Sequence, residues 1–269
     1  MLKDITFGQY FERDSLIHKL DPRTKLLLLL VIIVFIFVSG GWPQLGIVSI
    51  FVFTVIALSK VPIRLYLKNL KAILPIIIFT MIINLFYNNG GKVLLSFWKL
   101  SITTGAVDRA AYMASRILLL IVISAVLTYT TTPNDLTDAI ENLMSPLSLI
   151  GLKNAVHTLA MMMTIALRFI PTLIEETQKI MNAQKARGAD LENGKLIDKI
   201  KALIPILIPL LVSSVRRAYE LAEAMECRCY NGGEGRQRMK QLKYSLTDTF
   251  AFLITAVICA FVIILNVLL

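Results

Sequence analysis

The chain has 269 residues, 56% of them hydrophobic and 17% charged, with a mean hydropathy of +0.70. That balance excludes an ordinary soluble domain and points to an all-α, multi-spanning membrane protein. A net charge of +10 would suit nucleic acid. Its distribution excludes that partner, because the lysines and arginines sit in short segments flanking apolar runs, as the positive-inside rule expects.

Residues 1–25 form a basic amphipathic lead-in, with Lys19, Arg23 and Lys25 just before the first apolar run. The start carries acids and lacks an apolar signal core, so nothing is expected to be removed. Leu26–Val38 and Leu45–Leu58 are apolar, separated by Ser39-Gly40-Gly41-Trp42-Pro43. At 13 and 14 residues they are shorter than the roughly 20 needed to cross a bilayer upright. They read as a hairpin of short or tilted spans with Trp42 at the outer interface. Lys60, Arg64, Lys68 and Lys71 mark a second cytosolic segment before the third run, Ala72–Tyr87. Residues 92–109 form an outer loop compatible with a strand pair or an interfacial helix. Ala110–Tyr129 is the fourth run, and Arg116 inside it is expected to be paired internally or to snorkel rather than to line a transport path.

After Thr132-Pro133, a short amphipathic helix is expected, capped by Thr132 or Asn134, with Asp135, Asp138 and Glu141 on a solvated face rather than around a metal. Leu246–Leu269 is a full-length last span. If the start is cytosolic, four spans return the chain to the cytosol near residue 130. The apolar stretches 155–170 and 202–215 then lie against the membrane without crossing, because lysine- and arginine-rich segments follow both. Three regions result: a membrane domain of four apolar helices (1–130), a cytosolic domain with two long arginine-tipped helices (131–243) and a final transmembrane helix (244–269). Three cysteines do not make a disulfide framework, and Cys227-x-Cys229 with only His18 and His157 elsewhere falls short of a zinc site. No metal or other cofactor is expected.

Residues 168–230 carry the strongest pattern. Two helical segments each end in an arginine between small residues: Ala186-Arg187-Gly188 and Cys227-Arg228-Cys229. Placing Arg187 on Arg228, 41 residues on, also places Ala183 on Ala224 and Lys185 on Glu226. Glu175–Lys179 and Arg216–Glu220 have the i,i+4 spacing of an exposed helix face. Pro171 near the start of one segment and Pro205 and Pro209 at the start of the other are expected to bend or begin the helices. Gly188 stands where a left-handed cap puts glycine. The arginine fork suits a carboxylate or a set of carbonyls on a partner.

The stretches LRFIPTLIEETQKIMNAQKARGAD, AMECRCYNGGEGR, HKLDPRTKL and TYTTTPNDLTDAIENLMSPL together resemble the transmembrane T component of energy-coupling-factor (ECF) transporters, in the form shared among several substrate-binding partners. The resemblance spans essentially the whole chain. It implies an L-shaped, non-catalytic multi-pass subunit of the cell membrane with about five spans. Its start and its two coupling helices would be cytosolic. It also implies partners: a membrane-embedded vitamin-binding S component and two ABC-type ATPase subunits, expected as a heterodimer. Ala186, Arg187 and Gly188 would dock one ATPase, and Cys227, Arg228 and Cys229 the other. The second motif departs from the family pattern, with cysteines for the usual alanine and glycine. Cysteine is small enough to keep the close approach, whereas the helix end loses glycine's freedom there, and Gly232 is expected to close the segment instead. No GxxxxGK[ST] occurs, so ATP hydrolysis would belong to the partners. A membrane-embedded transferase would need convergent acids or histidines, and a secondary transporter using Arg116 and Asn84 would need inverted repeats.

Overall fold

The computed structural model describes residues 10–87, 93–97, 100–145, 153–189, 196–230 and 242–268. Among them are eight helices, α1 (Pro22–Val38), α2 (Trp42–Ser59), α3 (Ile63–Tyr87), α4 (Thr104–Thr130), α5 (Pro133–Met144), α6 (Lys153–Ala186), α7 (Leu196–Glu226) and α8 (Leu246–Leu268), and a strand pair. The chain divides into two compact units, one of residues 8–136 and 241–269, the other of residues 1–7 and 137–240.

In the first unit, α4 packs on α1, α2 and α3, and α8 packs on α1 and α2. The core between them is aliphatic: Ile36, Val48, Val52, Leu119, Ile123, Val126 and Val262. The opposite faces, with Phe53, Phe79, Leu253 and Val257, are exposed, the inverse of a soluble bundle and the expected surface for helices solvated by lipid. Six helices (α2, α3, α4, α6, α7 and α8) are long and apolar enough to span a membrane. At 17 residues, α1 reaches about 26 Å.

Polar chemistry is concentrated at the helix ends. Asp21 caps α1 through the Arg23 N–H at 2.9 Å, with Pro22 at the first helical position, where its missing N–H costs nothing. Asp248, 1% exposed, accepts from the backbone N–H groups of Asp21 and Ser245, both at 2.8 Å, and so ties the start of α8 to the start of α1. The Lys25 Nζ donates to the carbonyls of Thr130 at 2.8 Å and His18 at 3.2 Å, closing the end of α4 onto the same cluster. The HKLDPRTK stretch therefore staples three helix ends. At the other end of α1, Arg116 donates to the Ser39 carbonyl at 2.7 Å and lies over Tyr112, 4.9 Å from the ring centroid. It is the internally paired arginine the sequence suggests. Asn84 spends its amide on the Thr80 carbonyl at 2.8 Å.

Two expectations are resolved and two corrected. The loop after α3 is the strand pair, β1 (Val93–Phe97) antiparallel to β2 (Leu100–Thr103), with an irregularity between Val93 and Leu95, and α4 begins directly at Thr104. Thr132, not Asn134, caps α5: its hydroxyl accepts from the Asp135 N–H at 3.1 Å and donates to the Asp135 carboxylate at 2.8 Å. The basic stretch Arg64–Lys71 is not an intervening segment but the first turns of α3, since lysine, arginine and leucine all favour helix. The acids of α5 are half-buried rather than solvated, and Glu141 meets His157 of α6 at 2.7 Å.

Candidate functional site

The second unit is built on α6 and α7, and the sequence places their prolines inside them. Pro171 lies within α6, and Pro205 and Pro209 lie within α7, so the helices begin well before the prolines instead of at them. In α6 the apolar run lies before Pro171, whereas in α7 it runs from Ala202 to Val212 and contains both prolines.

The two helices run antiparallel against each other. Tyr230 meets Met161 at 3.0 Å, the Glu176 carboxylate meets Ser213 and Arg217, and Gln184 reaches the Pro205 carbonyl at 3.3 Å. Glu176 and Arg217 are themselves 41 residues apart. The residues that meet at the crossing thus occupy matching positions of the repeat, which is the mark of an approximate twofold axis through that point. Sequence reading missed this ion pair, although the same 41-residue offset that aligns the arginines reveals it. Beside it, Phe169 and Leu173 of α6 face Ala218 and Ala222 of α7 across a cavity of about 490 Å3. The small alanines keep the helices from filling that space.

The candidate residues stand at the two far ends. Ala186 is the last helical residue of α6. The Gly188 N–H donates to the Lys185 carbonyl and the Ala189 N–H to the Gln184 carbonyl, both at 3.0 Å, with Gly188 left-handed at φ +88°. That pair of bonds is a Schellman cap. At the end of α7 the Cys229 N–H donates to the Glu226 carbonyl at 2.8 Å and the Tyr230 N–H to the Met225 carbonyl at 3.0 Å. Cys229 takes the left-handed position at φ +54°. The same cap therefore closes both helices, in the same register, with an arginine immediately before the left-handed residue each time. Cys229 itself performs the turn expected of Gly232, which lies outside the described residues. The capping bonds and not the side chain decide where the helix ends, and a single strained residue is a tolerable cost.

Ala186, Arg187, Gly188, Cys227, Arg228 and Cys229 are all exposed. Neither arginine has an ion-pair partner among the described residues. Each stands 11 residues beyond the crossing, about 17 Å of helix, and the two point away from it in opposite directions along the pair. Arg216 and Glu220 form the expected i,i+4 contact at 3.7 Å, on an exposed face where such a pair contributes little.

Apolar helices of spanning length with lipid-compatible outer faces define a multi-pass helical membrane protein. Residues 13–240 match the cobalt transport protein family, CbiQ. Three relatives, each described as an energy-coupling factor transporter transmembrane protein EcfT, align over almost their whole lengths. The one from Ruminiclostridium cellulolyticum is 49% identical, covering 99% of this chain and 98% of the relative. The Clostridium kluyveri protein is 52% identical over 96% and 95%, and the Bacillus subtilis protein 39% identical over 97% of each. The chain belongs to this family and is a transmembrane component of an energy-coupling factor transporter.

Proposed function

We propose that the chain is the lever of a vitamin or micronutrient importer. It would carry motion from two cytosolic ABC-type ATPase subunits to a membrane-embedded S component, without itself catalysing a reaction. In this reading α1–α4 (residues 1–130) and α8 (residues 244–269) anchor the subunit. Residues 131–243 form the cytosolic coupling domain, so that five helices cross and the apolar halves of α6 and α7 lie against the membrane. Ala186-Arg187-Gly188 docks one ATPase and Cys227-Arg228-Cys229 the other.

The observation that carries this is the pair of matching caps. Two helix ends with the same hydrogen bonds and the same exposed arginine, related by an approximate twofold through Glu176 and Arg217, suit a pair of similar subunits that are themselves related by a twofold. An arginine there complements the negative helix end and offers a rigid fork to carboxylates or carbonyls across the contact. When the ATPases close on nucleotide, they draw the two tips along the helix pair and the crossing turns. The apolar front faces, where Leu159, Met162, Leu207 and Leu211 are exposed, move with it. An S component packed on those faces is then held in one arrangement and released in the other, which requires that it bind the two with different affinity.

Arg187→Ala and Arg228→Ala are each expected to abolish uptake and to weaken recovery of the ATPases with the purified chain by at least tenfold. Wild-type assembly and transport in both single variants would overturn the docking assignment.

A further inference from the structure

The 41-residue repeat that matches the two tips also inverts their charge. Glu175 falls on Arg216, Glu176 on Arg217, Lys179 on Glu220 and Lys185 on Glu226. Between the crossing and the helix ends, the one like-charged match is Arg187 on Arg228. At the crossing the inversion has an internal reason. A twofold sets a position against its own counterpart, and the Glu176 carboxylate holds Arg217 because the two differ in sign.

Toward the tips that reason lapses. The arginines stand about 17 Å of helix beyond the crossing, past the ~8–10 Å over which exposed charges sense one another at physiological salt. Over residues 182–188, α6 carries Lys185 and Arg187 and no acid. Over the matching residues 223–229, α7 carries Glu223 and Glu226 against Arg228 alone. All five residues are exposed. The next charges in the sequence, Asp190 and Glu234, lie outside the described residues. Lys185 suits the negative end of its helix, whereas Glu223 and Glu226 oppose theirs, and neither has an ion-pair partner among the described residues. Helix stability therefore accounts for the sign of the α6 tip and not for that of the α7 tip.

We propose that the tips are charge-coded: the α6 tip docks on a surface rich in carboxylates and the α7 tip on one rich in lysine or arginine. The two ATPase subunits are then unlike, and the chain meets them in one orientation only. This rests on the docking reading above. The shared arginine and cap supply the grip. The flanking charges select the partner, because they steer the right encounter and set like charges against the wrong one. Without them, two tips related by a twofold would fit either subunit equally.

The test follows association of the ATPase pair with the full chain in nanodiscs. Lys179→Glu/Lys185→Glu and Glu223→Lys/Glu226→Lys leave both arginines in place. Each double change is expected to slow association about tenfold at ~0.1 M salt and less than about twofold at ~1 M, where the Debye length falls to about 3 Å. A photoreactive p-benzoylphenylalanine in place of Ala183, or of its counterpart Ala224, both exposed, reports by mass spectrometry which subunit each tip meets. Each is expected to mark one subunit only. A chain carrying both reversals should regain association and exchange the marks. Rates indifferent to both reversals, a tip that marks both subunits, a double reversal without the exchange, or an ATPase pair of two identical chains would each overturn the code. If a reversal unfolds the chain, Lys185→Gln and Glu223→Gln/Glu226→Gln should slow association about threefold at ~0.1 M salt, and an unchanged rate overturns the code as well. Arg187→Ala and Arg228→Ala keep the two readings apart. If they lose the ATPases while the reversals change nothing, only the charge code falls; if neither set matters, the docking falls with it.

Discussion

Cys229 sits in a backbone conformation that a side chain normally avoids. A left-handed residue with a Cβ costs about 1–2 kcal/mol, whereas giving glycine's extra freedom to the unfolded chain costs about 0.4–1 kcal/mol. Strain wins, and Cys229→Gly is expected to stabilise the chain by up to about 1 kcal/mol in thermal unfolding while leaving the cap intact. Gly188→Ala should do the reverse by a similar amount. A Cβ there meets nothing within 4 Å, so its cost is conformational alone. His18 offers a second test at this scale. Its Nε2 bonds to the Phe11 carbonyl at 2.9 Å, which requires a proton on Nε2, and leaves Nδ1 to accept from Ser15 at 2.6 Å. Burial lowers its pKa below the ordinary 6.5, although the Phe11 carbonyl opposes the shift. Because the folded form resists protonation, the unfolded chain binds more protons once pH falls below about 6.5. Stability is therefore full above that pH and declines as pH falls through the lowered folded value. His18→Gln should flatten the decline in unfolding scans between pH 7 and pH 5.

At the scale of elements, the crossing of α6 and α7 is pinned by one ion pair with a supporting hydroxyl. Glu176 and Arg217 are about a quarter exposed, so each single neutralisation, Glu176→Gln or Arg217→Met, should cost about 1–2 kcal/mol. The double variant should recover part of it, because an unpaired half-buried charge costs more than a missing pair. Uptake should fall in the singles if this contact is the pivot; full uptake in every variant would assign it to stability alone. The residues that made elements legible were the punctuating ones. Asp21-Pro22 and Thr132-Pro133 announce helix starts because proline tolerates the first turn and the preceding side chain caps it. Charge misleads where it is weighed above punctuation: Arg64–Lys71 reads as a boundary yet is helix, and Pro62 marks the start just before Ile63. The prolines of α6 and α7 mislead in the opposite sense, since helices sustained by long apolar faces run through them. The paired tips were visible as a repeat. The shared cap was only half visible, because nothing in the letters Cys-Arg-Cys shows that a cysteine takes the glycine's turn.

For the whole molecule, sidedness is the proposal on which the coupling reading depends. The chain supplies its own probe, since Cys227 and Cys229 are exposed while Cys259 in α8 is half-buried. A membrane-impermeant maleimide should label the α7 tip in inverted vesicles and not in intact cells, with Cys227→Ser/Cys229→Ser abolishing the signal. Labelling from the outside would put the tips on the wrong face of the bilayer and end the lever account.

The unequal helices of the first unit have a further consequence. The hairpin of α1 and α2, at 17 and 18 residues, reaches about 26–27 Å, while α4 at 27 residues reaches about 40 Å. The longer α4 can meet the same bilayer by tilting, whereas the hairpin can meet it only where the lipid thins, at a cost of a fraction of a kcal/mol for each ångström of mismatch. Under the proposed coupling, the thinned margin beside the hairpin is where a moving partner would meet the least resistance from lipid.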